Sequence, residues 1–265
     1  MAFNSTDLLE DLIHISHLAG NVIMDVYGSD NFDVVTKHSD DFDSPLTRAD
    51  KAAHNVIVAE LAKISEFDIV SEEGESHIPR TDPYWLVDPL DGTKEFVKRN
   101  GEFTVNIALM NNNRPVLGVV YAPALDVYYC GNTVHRKAFK IEKGERNDIF
   151  AEQVEGVPKI VVSRSHKDEQ TQKLLDSIGE YEEVAMGSSL KLCLVAEGVA
   201  ALYPRLGPTS LWDTAAADAV VTSAGGAVKT LDGSLLSYDP IAQILNPFFV
   251  VEPANNTIIW KDYLK

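Results

Sequence analysis

Two cysteines in 265 residues give neither a disulfide framework nor a zinc cluster, because Cys130 and Cys193 fall in separate elements without ligand-spaced partners. Both read as inert packing residues. Long apolar runs are also missing: nothing approaches the ~20 apolar residues of a membrane span, and the first residues lack the basic-then-apolar order of a secretion signal. The expected location is the cytoplasm, in solution or held peripherally at the cytoplasmic face of the inner membrane. Basic residues are scarce, with 23 Lys and Arg against 40 Asp and Glu and a net charge of −17, which argues against a nucleic-acid duplex as partner. An anionic small molecule would need local positive charge, supplied by metal ions and a few placed basic side chains. Internal repeats and low-complexity tracts are absent. What is present, 45% hydrophobic and 24% charged residues, is ordinary for a globular enzyme with one large core or two joined halves.

The apolar spacing of Leu8, Leu12, Ile15, Ala19 and Ile23 predicts an amphipathic helix over Thr6 to Tyr27. A polar, acid-rich loop should follow from Gly28 to Ser44, and Pro45 should open a second helix whose buried stripe includes Ala53, Ile57 and Leu61. Alternation over Phe103 to Leu109, then strands at Val116 to Tyr121 and Leu125 to Tyr129, predict an antiparallel meander. From Pro158 the order becomes strand, helix, strand, helix: strands at 160–163, 181–186, 200–203 and 248–251, and helices at 167–178, 188–197 and 214–223. The expected fold class is α/β, with an α+β half at residues 1–157 and an α/β half at 158–265 that completes the site.

Trp85-Leu86-Val87-Asp88-Pro89-Leu90-Asp91-Gly92-Thr93 is the stretch around which the chain is organised. An apolar strand ends there in two carboxylates, and a tight turn through Pro89 could aim Asp88, Asp91 and the Leu90 carbonyl at one point. Hard oxygens so converged suit Mg²⁺. Gly92 and Thr93 then open a short helix, whose free N–H groups could hold a phosphate. Taken alone, the same residues could merely close a hairpin. Two further acidic ends, Ser71-Glu72-Glu73 and Trp212-Asp213-Thr214-Ala215-Ala216, favour a site, although Asp213 is also a good helix cap and Asp50 a good dipole partner in a first turn.

These three segments resemble, in order and spacing, the signatures of the inositol monophosphatase superfamily of Mg²⁺-dependent, Li⁺-sensitive phosphatases. Gly187-Ser188-Ser189-Leu190-Lys191, Tyr203-Pro204-Arg205 and Ser163-Arg164-Ser165-His166 most resemble its bacterial 3'(2'),5'-bisphosphate nucleotidases of the CysQ type. The resemblance implies a layered αβαβα sandwich. It also implies two or three Mg²⁺ held by Glu72, Asp88, Asp91, Asp213 and the Leu90 carbonyl, and an attacking water positioned by Thr93 and Asp50 with Glu72. Gly92, Thr93, Asp213, His166, Ser188, Lys191 and Arg205 are implied to hold the substrate, adenosine 3',5'-bisphosphate. The implied partner is thus a small nucleotide bisphosphate, and the chain is expected to be a monomer or homodimer. An inositol-phosphate or sugar-phosphate phosphatase of the same superfamily is the alternative, and a non-catalytic metal- or nucleotide-binding protein a remote one. Asp218 departs from the pattern, which more often has a neutral or basic residue there.

Overall fold

Two helices begin the chain because their apolar residues recur every third or fourth position. In the computed structural model, which describes residues 4–29, 45–152, 155–164, 169–258 and Trp260, they are α1 (Ser5–Tyr27) and α2 (Pro45–Ile64). Asn4 caps α1 by accepting from the Thr6 amide at 3.2 Å. Leu12, Ile15, Ala19 and Ile23 of α1 meet Ala53, Ile57 and Leu61 of α2, and together they cover one face of a large sheet.

That sheet has seven strands in sequence order: β1 (Asp68–Ser71), β2 (Tyr84–Asp91), β3 (Thr104–Asn111), β4 (Arg114–Ala122), β5 (Val127–Asn132), β6 (Lys137–Glu142) and β7 (Glu145–Asp148). Only β1 and β2 run parallel; the rest form the expected meander. A five-residue helix, α3 (Thr93–Val97), leaves the end of β2. Alternate residues of β2 face opposite ways: Trp85 and Val87 join the helix pair, while Tyr84 and Leu86 join a second core on the other face.

The remaining elements are β8 (Lys159–Ser163), α4 (Glu169–Ile178), β9 (Glu182–Met186), α5 (Leu190–Ala196), β10 (Tyr203–Arg205), α6 (Ala215–Ser223), β11 (Ala227–Thr230) and β12 (Phe249–Glu252). Strands β8 and β9 pair in parallel, β10-β12-β11 form an antiparallel trio, and an Ile160–Leu202 bridge ties the two groups. Helices α5 and α6 lie between the large sheet and these strands, while α4 packs outside with Leu174 and Leu175 against Ile160, Val162 and Leu202. The order of layers is therefore helix, sheet, helix, sheet, helix. Gly118 and Gly131 permit the middle layer to sit close, since a Cβ at either would run into the α6 backbone.

The expected elements need three corrections. Asp88 to Asp91 is not a turn: β2 continues to Asp91, and the ladder with β3 skips Pro89 and Leu90 as a bulge. Proline has no N–H to pair, which makes a bulge the place for it inside a sheet. The strand expected at 200–203 is Tyr203–Arg205, because Ala200 bonds back to Leu194 of α5 while Ala201 and Leu202 are spent on the link to β8. The helix expected to open at Ser188 begins at Leu190, since Ser188 adopts a left-handed φ of 53°. The start of the helix expected from 167 lies outside the described residues, and α4 is described from Glu169. Strands β6, β7 and β11 were not expected at all: their charged, turn-rich sequences hide the alternation.

Candidate metal and phosphate site

The acidic side chains reach the site from β2, which carries two of them, and from the turn before α6. Asp88 lies in the bulged end of β2, and its Oδ1 accepts from the Leu90 amide at 3.0 Å, so the bulge folds back on its own carboxylate. Asp91 ends the same strand, and its Oδ2 accepts from the Ser188 hydroxyl at 2.6 Å and the Ser189 amide at 2.7 Å. Asp213 sits in the turn before α6, with Oδ2 accepting from the Ser210 amide at 2.9 Å. It does not cap the helix. Thr214 is the N-cap residue, and Asp213 bonds back toward Ser210 instead, which leaves its other oxygen for the site.

One oxygen from each of Asp88, Asp91 and Asp213 lies within 4.8 Å of the others. Burial, then the neighbouring charges of Glu72, Asp91 and Asp213, drives the Asp88 carboxyl well above the usual carboxylate range. Burial followed by Asp91 raises Asp213 to about 8, and the same pair of causes raises Glu72, on the loop after β1, to about 7. A cluster in which three carboxyls resist ionisation is an arrangement that a divalent cation relieves, and an all-oxygen donor set suits a hard one. The residues present therefore fit a Mg²⁺ centre.

Asp50, in the first turns of α2, is buried beside Glu72 and Glu73, and burial with the Glu73 charge pushes it to about 8. Its Oδ1 is buried without a hydrogen-bond partner. No hydrogen bond joins it to Thr93 among the described residues, so the expected Asp50–Thr93 pairing is absent as a direct contact. Thr93 is exposed at the start of α3, and Gly92 before it takes a φ of 90°, open to glycine but strained for other residues.

A cavity of about 630 Å³ opens beside the carboxylates, lined by Gly92, Thr93, Ser188, Lys191, Arg205 and Asp213 among others. Its lining also carries positive charge, from Lys191 and Arg205. The Lys191 ammonium lies 5.9 Å from the centre of the Tyr203 ring, and its Nζ donates to the Ser188 carbonyl. Burial pulls Lys191 down to about 8, opposed by Asp91 and assisted by Arg205. Arg205 Nη2 donates to the Pro208 carbonyl at 2.8 Å, while its Nε is buried and unpaired. His166 lies outside the described residues.

A match to the inositol monophosphatase family spans residues 6–257. The chain belongs to that family. As an inositol monophosphatase family member it is 47% identical, over 252 residues, to the 3'(2'),5'-bisphosphate nucleotidase CysQ of Escherichia coli K12, covering 92% of this chain and 99% of that protein. The CysQ of Aggregatibacter actinomycetemcomitans is 34% identical over 264 residues, covering 95% of this chain and 94% of that one. A crystal structure of CysQ from Bacteroides thetaiotaomicron superposes with a TM-score of 0.85 at 36% identity, covering 94% of this chain and 98% of that chain. An inositol monophosphatase from Zymomonas mobilis shares the fold, with a TM-score of 0.80 at 20% identity over 99% of both chains.

Several residues that build the site were not singled out as site residues by the sequence. Glu73 joins Asp50, Thr104 of β3 bonds to both the Ser188 and the Ser189 hydroxyls, and Asn106 of β3 accepts from the Ser189 hydroxyl. Register could have found the last two, since Thr104 stands opposite Asp91 and Asn106 opposite Asp88. Asp218, the departure from the family pattern, is wholly buried and paired with Arg114 of β4 through contacts of 3.1 and 3.2 Å. It ties α6 to the sheet and takes no part in the carboxylate cluster.

Proposed function

We propose that this chain is a Mg²⁺-dependent 3'(2'),5'-bisphosphate nucleotidase that hydrolyses adenosine 3',5'-bisphosphate to AMP and phosphate. The observation that carries this reading is one cavity lined both by Asp91 and Asp213 of the carboxylate cluster and by Lys191 and Arg205. The scissile phosphate belongs at the carboxylates and the second phosphate at Lys191 and Arg205. The 47% identity to curated nucleotidases over nearly the whole chain supports the same substrate class.

Glu72, Asp88, Asp91, Asp213 and the Leu90 carbonyl would hold two or three ions. Bound Mg²⁺ supplies the positive charge that the phosphoryl group requires as negative charge develops on it, and makes water a stronger acid. The chain's own contribution is orientation. Ser188 and Ser189 fix one oxygen of Asp91, Ser210 fixes one of Asp213, and the bulge fixes Asp88. Thr93 at the cavity mouth and the unpaired Oδ1 of Asp50 would orient the attacking water and accept its proton, with Glu72 beside them. Gly92 lets the backbone come close to the phosphate. Lys191, Arg205, Ser188 and His166 would hold the non-reacting phosphate and nucleoside.

On this reading, residues 1–157 carry most of the metal site and residues 158–265 bring Asp213 and the substrate wall. Among the described residues no helix is long and apolar enough to cross a membrane. The reading places the protein in the cytoplasm as a monomer or homodimer. Phosphate release measured side by side on adenosine 3',5'-bisphosphate, inositol 1-phosphate and fructose 1,6-bisphosphate with Mg²⁺ tests it. Preference for the nucleotide is expected. Preference for inositol 1-phosphate would overturn the substrate assignment, and no release from any would overturn the enzyme.

A further inference from the structure

Outside the carboxylate cluster, one carboxylate is held on three sides at the seam between the two parts of the chain. Glu102 lies just before β3, and both its oxygens accept from Arg164 at 2.7 Å, from Nε and Nη2. Oε2 also accepts from the Gly187 amide at 2.8 Å. Arg164 in turn donates to the Ala185 carbonyl at 2.6 Å, and its amide bonds the Met186 carbonyl at 3.2 Å. The Glu102 side chain is 14% exposed. Charge-assisted, bidentate pairs of this kind are directional as well as strong.

What this pair grips is the turn that feeds α5. Gly187 follows Met186, Ser188 adopts its left-handed φ of 53°, and the next amide is that of Ser189. That single turn delivers both donors that hold Asp91 Oδ2. A non-glycine residue in the left-handed region persists only where its surroundings over-determine it. Glu102 supplies that constraint from one side: its Oε2 pins the Gly187 amide, and its carbonyl would lie 2.9 Å from a Cβ at Gly187. The same carbonyl would lie 3.1 Å from a Cβ at Gly92. The Glu102 backbone is thus wedged between the glycine that opens the phosphate cradle and the glycine that opens the Asp91 clamp.

We propose that Glu102, locked by Arg164, is a positioning residue that sets the Gly187–Ser189 turn and through it the orientation of Asp91 toward divalent cation. Glu102 touches neither substrate nor metal. Its effect appears in how tightly the site takes up cation, and fades once cation is saturating. This inference rests on the metal-site reading and not on which phosphate ester is the substrate.

The test uses the full-length protein, with Mg²⁺ alone as the probe. The Mg²⁺ concentration giving half of the maximal rise in melting temperature is measured for the parent and for Glu102→Ala, Glu102→Gln and Arg146→Ala. Arg146 makes an equally bidentate pair with Glu10 on the remote side of the sheet and is the control for loss of an ion pair as such. Removing a residue that orients a metal ligand typically costs 10- to 100-fold in metal affinity, and Glu102 acts one residue further out, so Glu102→Ala should raise the half-effect concentration about tenfold. Glu102→Gln keeps an oxygen for the Gly187 amide and should lie between the two, which also serves if the alanine variant does not fold. Arg146→Ala should not move it. A melting temperature lowered in EDTA with an unchanged Mg²⁺ half-effect in both Glu102 variants would make the residue merely structural and overturn the proposal. An equal shift in Arg146→Ala would overturn it as well. If the parent itself showed no Mg²⁺ response, the metal-site reading would fail first, which separates the two.

Discussion

Ser188 donates its hydroxyl to Oδ2 of Asp91 across 2.6 Å although 97 residues separate the two. Asp91 ends a strand of the large sheet, and Ser188 stands in the turn before a helix of the middle layer. One carboxylate oxygen is therefore fixed by the later part of the chain, in a side chain that also lies beside Asp88 and Asp213. A site assembled this way depends on the packing of both parts. Its individual members can then be removed to learn what each contributes.

Asp91→Asn keeps the shape of the side chain and deletes one charge from the cation site. The fold should survive, with an unchanged circular dichroism spectrum, while most phosphate release is lost. Near-parental turnover at saturating Mg²⁺ would contradict the assignment of Asp91.

Lys191→Ala and Arg205→Ala should separate substrates. A hydrogen bond to a charged group is worth about 1.5–3 kcal/mol, so kcat/KM toward adenosine 3',5'-bisphosphate should fall roughly 10- to 150-fold, with little change on a monophosphate. Equal losses on both substrates, or none, would favour the inositol-phosphate alternative.

The carboxyls of Asp50, Glu72 and Asp213 stand at about 8, 7 and 8 in the folded, metal-free protein, above their ordinary values. Between roughly pH 4 and pH 8 the folded state thus binds more protons than the unfolded one, and stability from this cluster declines as pH rises through that window. On the metal-site reading, bound Mg²⁺ would replace those protons. Calorimetry in EDTA and in Mg²⁺ should show a larger Mg²⁺-induced rise in melting temperature at pH 8 than at pH 6; the reverse order would refute the linkage.

Arg114→Ala strands the buried Asp218. Breaking one side of a buried pair costs about 3–5 kcal/mol, while replacing both partners by apolar residues of similar volume is often near neutral. Urea midpoints for Arg114→Ala and for the double variant Arg114→Met with Asp218→Leu measure this. A single variant as stable as the parent would show that the pair does not hold α6.

Li⁺ should inhibit, given the hard-oxygen site and the Li⁺ sensitivity that the resemblance implies. Phosphate release followed across millimolar-range Li⁺, at limiting and at saturating Mg²⁺, checks it, and complete indifference would count against the cation site.

Helices α1 and α2, the meander and the acidic ends of β1 and β2 were legible because each is written locally, in apolar spacing or in a few adjacent residues. Pro89 with Asp88 and Asp91 marked the site for the same reason, although a proline between acids suggested a turn where the sheet makes a bulge. Asp213 was legible as functional but not in its geometry, since the choice between capping α6 and bonding Ser210 depends on where the preceding turn is packed. Thr104 and Glu102 were not legible as site residues at all, and Glu73 and Arg164, although inside the motif-like segments, gave no sign of their partners. Their roles come from partners far away in the chain, and Asp218, an unexplained acid in the sequence, became intelligible only when Arg114 was brought beside it. Local spacing determines which elements form and which oxygens are hard and charged. Which lone pair of each carboxylate is bound by a donor, and which is left to face a cation, is decided only when the layers pack, because those donors arrive from other strands and turns.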